Sequence, residues 1–498
     1  MRLANLLAAL PVSPPGDGPV VLGSRDREVT GLAYHSAHVR AGDLFAAIRG
    51  LSQDGHRYAQ DAARRGAVAV LVDHAVPDVG ATQVVVPDTR QALAFVAAAF
   101  HGTPSEHLWV CGVTGTNGKT TTTYLLEAIL ARAGRRVGLV GTLGARLGGA
   151  PVEFHATTPT TPEAPDVQRL LAEMRAAGAG DVIMEVTSHA LALHRVDACR
   201  FGAAVFTNLT QDHLDFHGDL AGYRDAKARL FEMVAPDGLS VVNADDEASA
   251  AMASRSRARV WTYGIEQRAD VCAERLTLGP RGTRGSVVWP GGRMPLVLPL
   301  PGRFNVANAL AAAAVALARG IPPEVVSGAL ETVPGVPGRC ELVNEGQPFT
   351  VIVDYAHTPD GLEKVLRLAR EVATGRCVTV FGCGGDRDRT KRPIMGRIGT
   401  ALADYAVFTS DNPRSEDPGA IIREIEAGAA GRNFESEPDR RLAIGRALAL
   451  ARAGDVVVIA GKGHEPYQIL RDRTIAFDDR EVARDLLRAG RTELGAHP

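Results

Sequence analysis

Residues Gly115, Thr116, Asn117, Gly118, Lys119 and Thr120 have the types and order that hold a phosphate chain. Glycines let a turn expose main-chain N–H groups, and a helix starting just after them points its positive end at the same anion. Lys119 would lie against the outer phosphates, with the Thr120 hydroxyl on a magnesium ion. The strict phosphate-loop spacing, GxxxxGK[ST], is not met, because Val113 stands where its first glycine belongs. A glycine turn beside a solvated lysine is the competing reading, and the strand-loop-helix setting argues against it.

Three further residues could join this chemistry. Glu185 ends the apolar stretch 181–186, where a carboxylate would reach the same metal or simply terminate a strand. His213 follows another apolar stretch, in a segment that reads as a surface loop; magnesium prefers oxygen, so an imidazole is an unusual neighbour. Lys227 falls in a helix expected over 223–233, where spacing alone makes it a solvated lysine.

The elements that must position these groups follow from periodicity. Residues 108–113 form an apolar strand, and the helix over 120–133 has Leu125, Leu126, Ile129 and Leu130 on one face, with Gly134 at its end. Further strands are expected at 137–140, 182–186, 203–206 and 239–242, separated by helix-length segments, which implies a mainly parallel sheet. Before them, short strands at 67–72 and 83–86 alternate with helices at 58–65 and 90–101 as a small α/β unit. Residues 271–300 have β character with Gly and Pro turns and read as an excursion within the central unit; a helix over 305–318 and a turn-rich boundary at 333–338 follow. In the last unit four strands, 351–353, 378–381, 406–408 and 456–459, each run into a polar, glycine-containing loop. Open α/β sheets bind ligands beyond the carboxyl ends of their strands, so the four loops should meet at one crevice.

Composition narrows the class. A chain of 498 residues exceeds one ordinary core, and 45% hydrophobic and 22% charged residues with a net charge of -2 suit a globular protein with no call for nucleic acid. The apolar stretches are too short to cross a bilayer, no cleavable leader pattern opens the chain, and six scattered cysteines lack metal-ligand spacing. We expect a cytoplasmic monomer without membrane insertion, its thiols reduced and in the core.

The motifs Met184-Glu185-Val186-Thr187-Ser188-His189-Ala190-Leu191, residues 208–214, Asp354-Tyr355-Ala356-His357-Thr358-Pro359, Gly382-Cys383-Gly384-Gly385-Asp386-Arg387, Asp411-Asn412-Pro413-Arg414 and Gly461-Lys462-Gly463-His464-Glu465 occur in that order. With the shortened nucleotide loop, this series resembles the Mur ligases over essentially the whole chain, and within them the UDP-N-acetylmuramoyl-tripeptide synthetases. The resemblance implies an α/β protein of three domains. Residues 1–105 would bind the uridine part of a nucleotide-linked sugar peptide, 106–335 would be a central ATPase domain with a P-loop-type parallel sheet, and 336–498 a Rossmann-like domain that closes over ATP and carries an amino acid. The reaction implied is transfer of the ATP γ-phosphoryl group to the D-glutamate carboxylate of UDP-N-acetylmuramoyl-L-alanyl-D-glutamate, then attack of an amine on the acyl phosphate.

By the same resemblance Lys119, Glu185, His213 and Lys227 are catalytic; Mg2+ sits on Thr120, Glu185 and His213, and Lys227 reacts with CO2 to form a carbamate that helps hold a second ion. ATP would be held by Gly115 to Thr120, Thr121, Asn305, Arg339, Asp354 and His357, and the sugar peptide by Ser36, Thr160, Thr161, Ser188 and Arg195. The family's usual Asp-Ser-Arg is His35-Ser36-Ala37 here, and Leu193 replaces a frequent glutamine. The amino acid would meet Arg387, Asp411, Asn412, Pro413, Arg414, Gly461 and Glu465. The Asn-Pro-Arg loop is associated with meso-diaminopimelate, whose distal carboxylate a guanidinium can hold through two hydrogen bonds, with Glu465 suited to its distal ammonium. Lysine or ornithine as the added amino acid, a folylpolyglutamate synthetase-like ligase, and a non-catalytic nucleotide-binding protein are the alternatives.

Overall fold

The computed structural model describes residues 1–11, 18–50, 53–153 and 160–494. Three large sheets follow one another along the chain. The first has the order Val20–Leu22, Thr82–Val85, Ala69–Val72, Asp43–Ala46, Gly31–Ala33, parallel except at its first edge. Its inner strands Asp43–Ala46 and Ala69–Val72 are buried throughout, as a parallel sheet covered on both faces requires. Helix Thr89–Phe100 packs on it, its start fixed by the Asp88 carboxylate, which accepts from the amides of Arg90 and Gln91.

The second sheet has eleven strands. It is parallel from Val137–Gly141 through Asp181–Glu185, Trp109–Thr114, Phe201–Phe206, Val234–Asn243 and Arg259–Gly264 to Val271–Gly279, with antiparallel strands at both edges. Residues 271–300 stay within the central unit as expected, and do so by extending its sheet: Tyr263 and Gly264 pair with Val271 and Cys272. Val271, Val287, Met294, Leu296 and Leu298 join one core with helix Arg303–Ala318 and helix Lys119–Arg132, so the apolar alternation that marked this meander as β also binds it to the domain.

The third sheet has the order Glu341–Leu342, Thr350–Asp354, Val456–Ala460, Cys377–Phe381, Tyr405–Phe408, Phe434–Ser436. Its four long parallel neighbours end side by side, which brings the four polar loops together as their strand pattern required. Beneath two of these loops lies a fully buried ion pair. Arg440 is bonded to both oxygens of Asp479 at 2.7 Å and donates to the carbonyls of Ser410, at 3.3 Å, and Ala460, at 2.9 Å. Removing one partner of such a pair strands the other charge, so Arg440→Met is expected to lower unfolding free energy by about 3–5 kcal/mol, read from urea denaturation.

Links between the sheets' segments are polar. Tyr34 donates to Asp166 at 2.6 Å, and Arg90 pairs with Glu163 at 3.2 Å. All six cysteines are free and five are buried. Among the described residues no helix is long and apolar enough to cross a membrane.

Candidate active site

Strand Trp109–Thr114 carries Val113 and Thr114 fully into the sheet, with Val113 opposite Glu185, so the loop begins only at Gly115. That accounts for the missing first glycine of the strict pattern. Gly118, at φ +88°, precedes helix Lys119–Arg132 in the left-handed region, where glycine alone is unstrained. The neighbouring loop laces it down: Asn208 accepts from the Asn117 amide at 3.0 Å, its carbonyl accepts from the Thr116 amide at 2.8 Å, and the Thr207 hydroxyl donates to the Asn117 carbonyl at 2.6 Å. Lys119 Nζ folds back on the carbonyls of Gly115 and Thr116, at 3.0 and 2.9 Å. Burial lowers its pKa, Glu185 opposing and Arg339 adding to the shift.

Glu185 ends its strand 0% exposed. It accepts from the Thr120 hydroxyl at 3.0 Å and from the amide and hydroxyl of Thr142 at 2.9 and 3.0 Å. Thr142 was not foreseen from sequence; it lies on a loop after a neighbouring strand, with no local signal. Lys227, read from spacing as solvated, is 1% exposed: helix Leu220–Glu232 turns it inward, where Nζ donates to the Gly115 carbonyl at 3.0 Å and lies 4.3 Å from the Tyr223 ring centre. Burial holds its pKa well below the ordinary lysine range, and Lys119 lowers it further. His213, in the left-handed region at φ +52°, is half exposed and stacks edge-on with His189. Burial holds His189 and His217 down to about 4.

Thr120, Thr142, Thr160, Glu185, Ser188, His213, Lys227 and Arg339 line one cavity of about 250 Å3. It runs into a cleft of about 380 Å3 bounded by Asn117, Thr121, Asn305, Arg339, Asp354 and His357, within the roughly 300–1,000 Å3 of small-molecule sites. Both Asp354 oxygens take main-chain amides, of Cys340 at 2.7 Å and Ala356 at 2.8 Å, which ties the segment joining the second and third sheets to a strand end. Arg339 lies over the Tyr355 ring at 4.5 Å and reaches Thr120 at 3.4 Å.

The residues expected to meet a sugar peptide divide. Thr160 and Ser188 line the cavity, and Ser188 shares a 3.0 Å hydrogen bond with His217. The Thr161 hydroxyl is buried on the Glu185 carbonyl at 2.9 Å, and Arg195 is held by the Thr161 carbonyl at 3.0 Å and by Glu163 at 2.9 Å. Neither of these two lines the cavity. Ser36 stays with the first sheet, in the short helix Ser36–His38, outside the cavity's lining.

In the third sheet's loops Asn412 is a hub. Its side chain accepts from Lys462 Nζ at 3.2 Å and the Ile469 amide at 2.9 Å and donates to Glu465 at 2.8 Å. Lys462, unassigned in the sequence reading though inside a motif, is fully buried and also meets Glu465 at 3.2 Å. The Glu465 carboxylate is thus already met by one amide and one ammonium. Arg414 Nη1 donates to the carbonyls of Gly385 and Asn412 at 2.9 and 3.3 Å, fixing the plane of its guanidinium. Gly461, at φ +115°, brings its strand end so close to Asp411 that a Cβ would lie 2.8 Å from the carboxylate. Pro413 completes the same turn, and Arg387 is exposed, its Nη1 on the Asp386 carbonyl at 2.9 Å.

Residues 113–316 match the Mur ligase middle domain, 338–463 the Mur ligase, glutamate ligase domain, and 28–101 the Mur ligase family, catalytic domain. A UDP-N-acetylmuramoyl-L-alanyl-D-glutamate--2,6-diaminopimelate ligase from Syntrophomonas wolfei is 47% identical over 98% of this chain and 99% of its own. A protein of the same name from Halalkalibacterium halodurans is 48% identical over 93% and 95%. Among solved structures, one ligase of that name is 31% identical, with a TM-score of 0.69 over 99% of this chain and 100% of the other. A MurF ligase from Thermotoga maritima in complex with ADP shares the fold at 18% identity, with a TM-score of 0.65 over 94% and 99%.

Proposed function

The chain belongs to the Mur ligase family, and from that premise we propose that it joins meso-diaminopimelate to the D-glutamate of UDP-N-acetylmuramoyl-L-alanyl-D-glutamate at the expense of ATP, a cytoplasmic step of peptidoglycan precursor synthesis. One observation carries the reading: a single cavity gathers the nucleotide loop, Glu185, His213 and Lys227 and opens into a nucleotide-sized cleft between the second and third sheets. We take the domains as residues 1–105, 106–335 and 336–498.

The γ-phosphoryl group of ATP passes to the D-glutamate carboxylate, releasing ADP; the amine then displaces phosphate from the acyl phosphate, losing a proton as the amide forms. Phosphoryl transfer needs alignment and charge neutralisation more than covalent help. Lys119 and the loop amides that Asn208 does not take hold the phosphates, Arg339 adds positive charge from the domain boundary, and the cleft seats the nucleoside against Asn305, His357 and Asp354. Thr160 and Ser188 hold the peptide end, and Arg414 and Glu465 the amino acid.

The donor set suits Mg2+. The Thr120 hydroxyl and Glu185 carboxylate are hard oxygen ligands already 3.0 Å apart, with His213 on the same wall. Bound there, Mg2+ would neutralise charge on the transferring group. Lys227 suits a carbamate. Among the described residues no carboxylate lies within ion-pair distance of it, Asp212 only partly opposing the shift, and its lowered pKa favours the neutral amine that combines with CO2. The product is an anion in a position where the ammonium has one carbonyl as hydrogen-bond acceptor and the cation Lys119 acting against it.

The test is an assay with UDP-N-acetylmuramoyl-L-alanyl-D-glutamate, ATP and, separately, diaminopimelate, lysine and ornithine, read by phosphate release and product mass. Diaminopimelate is expected to be used far better than the others. Preference for lysine or ornithine overturns the amino-acid assignment; no turnover with any of the three overturns the ligase.

A further inference from the structure

The nucleotide loop belongs to the second sheet and helix Pro359–Val372 to the third, yet one carboxylate joins them. Asp360 Oδ2 accepts from the Asn117 side-chain amide at 2.5 Å and from the Thr210 hydroxyl at 3.3 Å, and from Lys364 within its own helix at 2.9 Å. Both cross-domain donors come from loops hydrogen-bonded to one another. The main chain of Asn117 is fixed by Thr207 and Asn208, and Thr210 is bonded through its amide to the Thr116 hydroxyl at 3.0 Å. The helix gains little from these contacts for its own sake. Thr358 already caps it, and a carboxylate in its first turn is favourable with or without a neighbour. What the two donors add is position: Thr358, Gly361, Lys364 and Val365 of this helix segment line the nucleotide cleft, opposite Asn305 and Asn308.

We propose that Asp360 is a positioning residue that latches the third domain to the nucleotide loop and so aligns the amino-acid loops with the acyl phosphate. It lies outside the lining of both the cavity and the nucleotide cleft. The inference rests on the ligase reading above. An acyl phosphate survives only where water is kept out, and domain closure is the means by which a cleft enzyme excludes it. With the latch cut, nucleotide still binds the loop, closure weakens, and some acyl phosphate is lost to water.

The experiment compares Asp360→Ala, Asp360→Asn, Asn117→Ala and the Asp360→Ala/Asn117→Ala double variant, full length. Expected for Asp360→Ala is a kcat for ligation about tenfold lower, a smaller change in KM for ATP, and more than one phosphate released per amide formed. Its radius of gyration by small-angle scattering, with a non-hydrolysable ATP analogue present, should exceed that of the parent. Asp360→Asn, which keeps an acceptor for Asn117, should recover most of the loss. The double variant should be no worse than the poorer single one, because both cut the same link. Losses that multiply in the double variant, or a coupling ratio and scattering profile equal to the parent's, overturn the latch. If instead the parent makes no amide at all, the ligase reading fails, while scattering on the same variants still decides the latch.

Discussion

Lys227→Ala is expected to reduce ligation by about 10³-fold, the scale of removing one preorganised charge-stabilising group from an active site, while leaving the fold intact. The reason is its setting: a lysine 1% exposed, its ammonium offered a single carbonyl at 3.0 Å and one aromatic face. Burial and Lys119 both lower its pKa. The sign matters. A lowered pKa raises the fraction of free amine at neutral pH, and only the free amine takes up CO2, so the carbamate should form here without the alkaline conditions an exposed lysine needs. Two measurements follow from the same premise. CO2-depleted buffer should slow the parent protein, and formate or acetate should partly restore the alanine variant by supplying the missing carboxylate. Undiminished activity of Lys227→Ala would falsify the carbamate.

The second large effect belongs to Arg414. Arg414→Ala is expected to lower kcat/KM for diaminopimelate by about 10²-fold, the cost of losing charge-assisted hydrogen bonds to a carboxylate, with little change for lysine or ornithine. The side chain is held for this task. Its backbone sits in the left-handed region at φ +52°, pinned by the 3.1 Å bond from its amide to the Ile469 carbonyl, and Nη1 is fixed on two carbonyls. Among the described residues no protein group bonds its Nη2 or Nε, which leaves one edge of the guanidinium for an anion. Arg414→Lys would keep the charge but not the paired donors, and should recover only part of the loss. Equal losses for all three amino acids would show Arg414 to be a structural prop.

The nucleotide loop was legible from sequence because its chemistry is local: glycines, a lysine and a helix start are adjacent in the chain. The strand-to-loop repeats of the third domain were legible for the same reason, and parallel pairing then placed their ends together. Burial of Lys227 was not legible. Helical spacing described its own helix, whereas the groups that enclose it, Gly115 among them, lie 112 residues away. The Asn117–Asp360 bond spans 243 residues and two domains, beyond any periodic signal. Motif positions also left open whether a side chain faces ligand or wall. Asn412 and Thr161 stand at family positions, yet their side chains are committed to Lys462 and Glu465 in one case and to the Glu185 carbonyl in the other. Residues 271–300 were read correctly as β, but whether they left the sheet or extended it depended on one short parallel pairing.

The buried Arg440–Asp479 pair separates the shape of the two loops above it from their chemistry. By gripping the carbonyls of Ser410 and Ala460 from below, it fixes where the main chain emerges before Asp411 and Gly461. Side chains above those anchors can then change without a new backbone path. An engineer varying the side chains above these anchors should therefore leave the pair untouched.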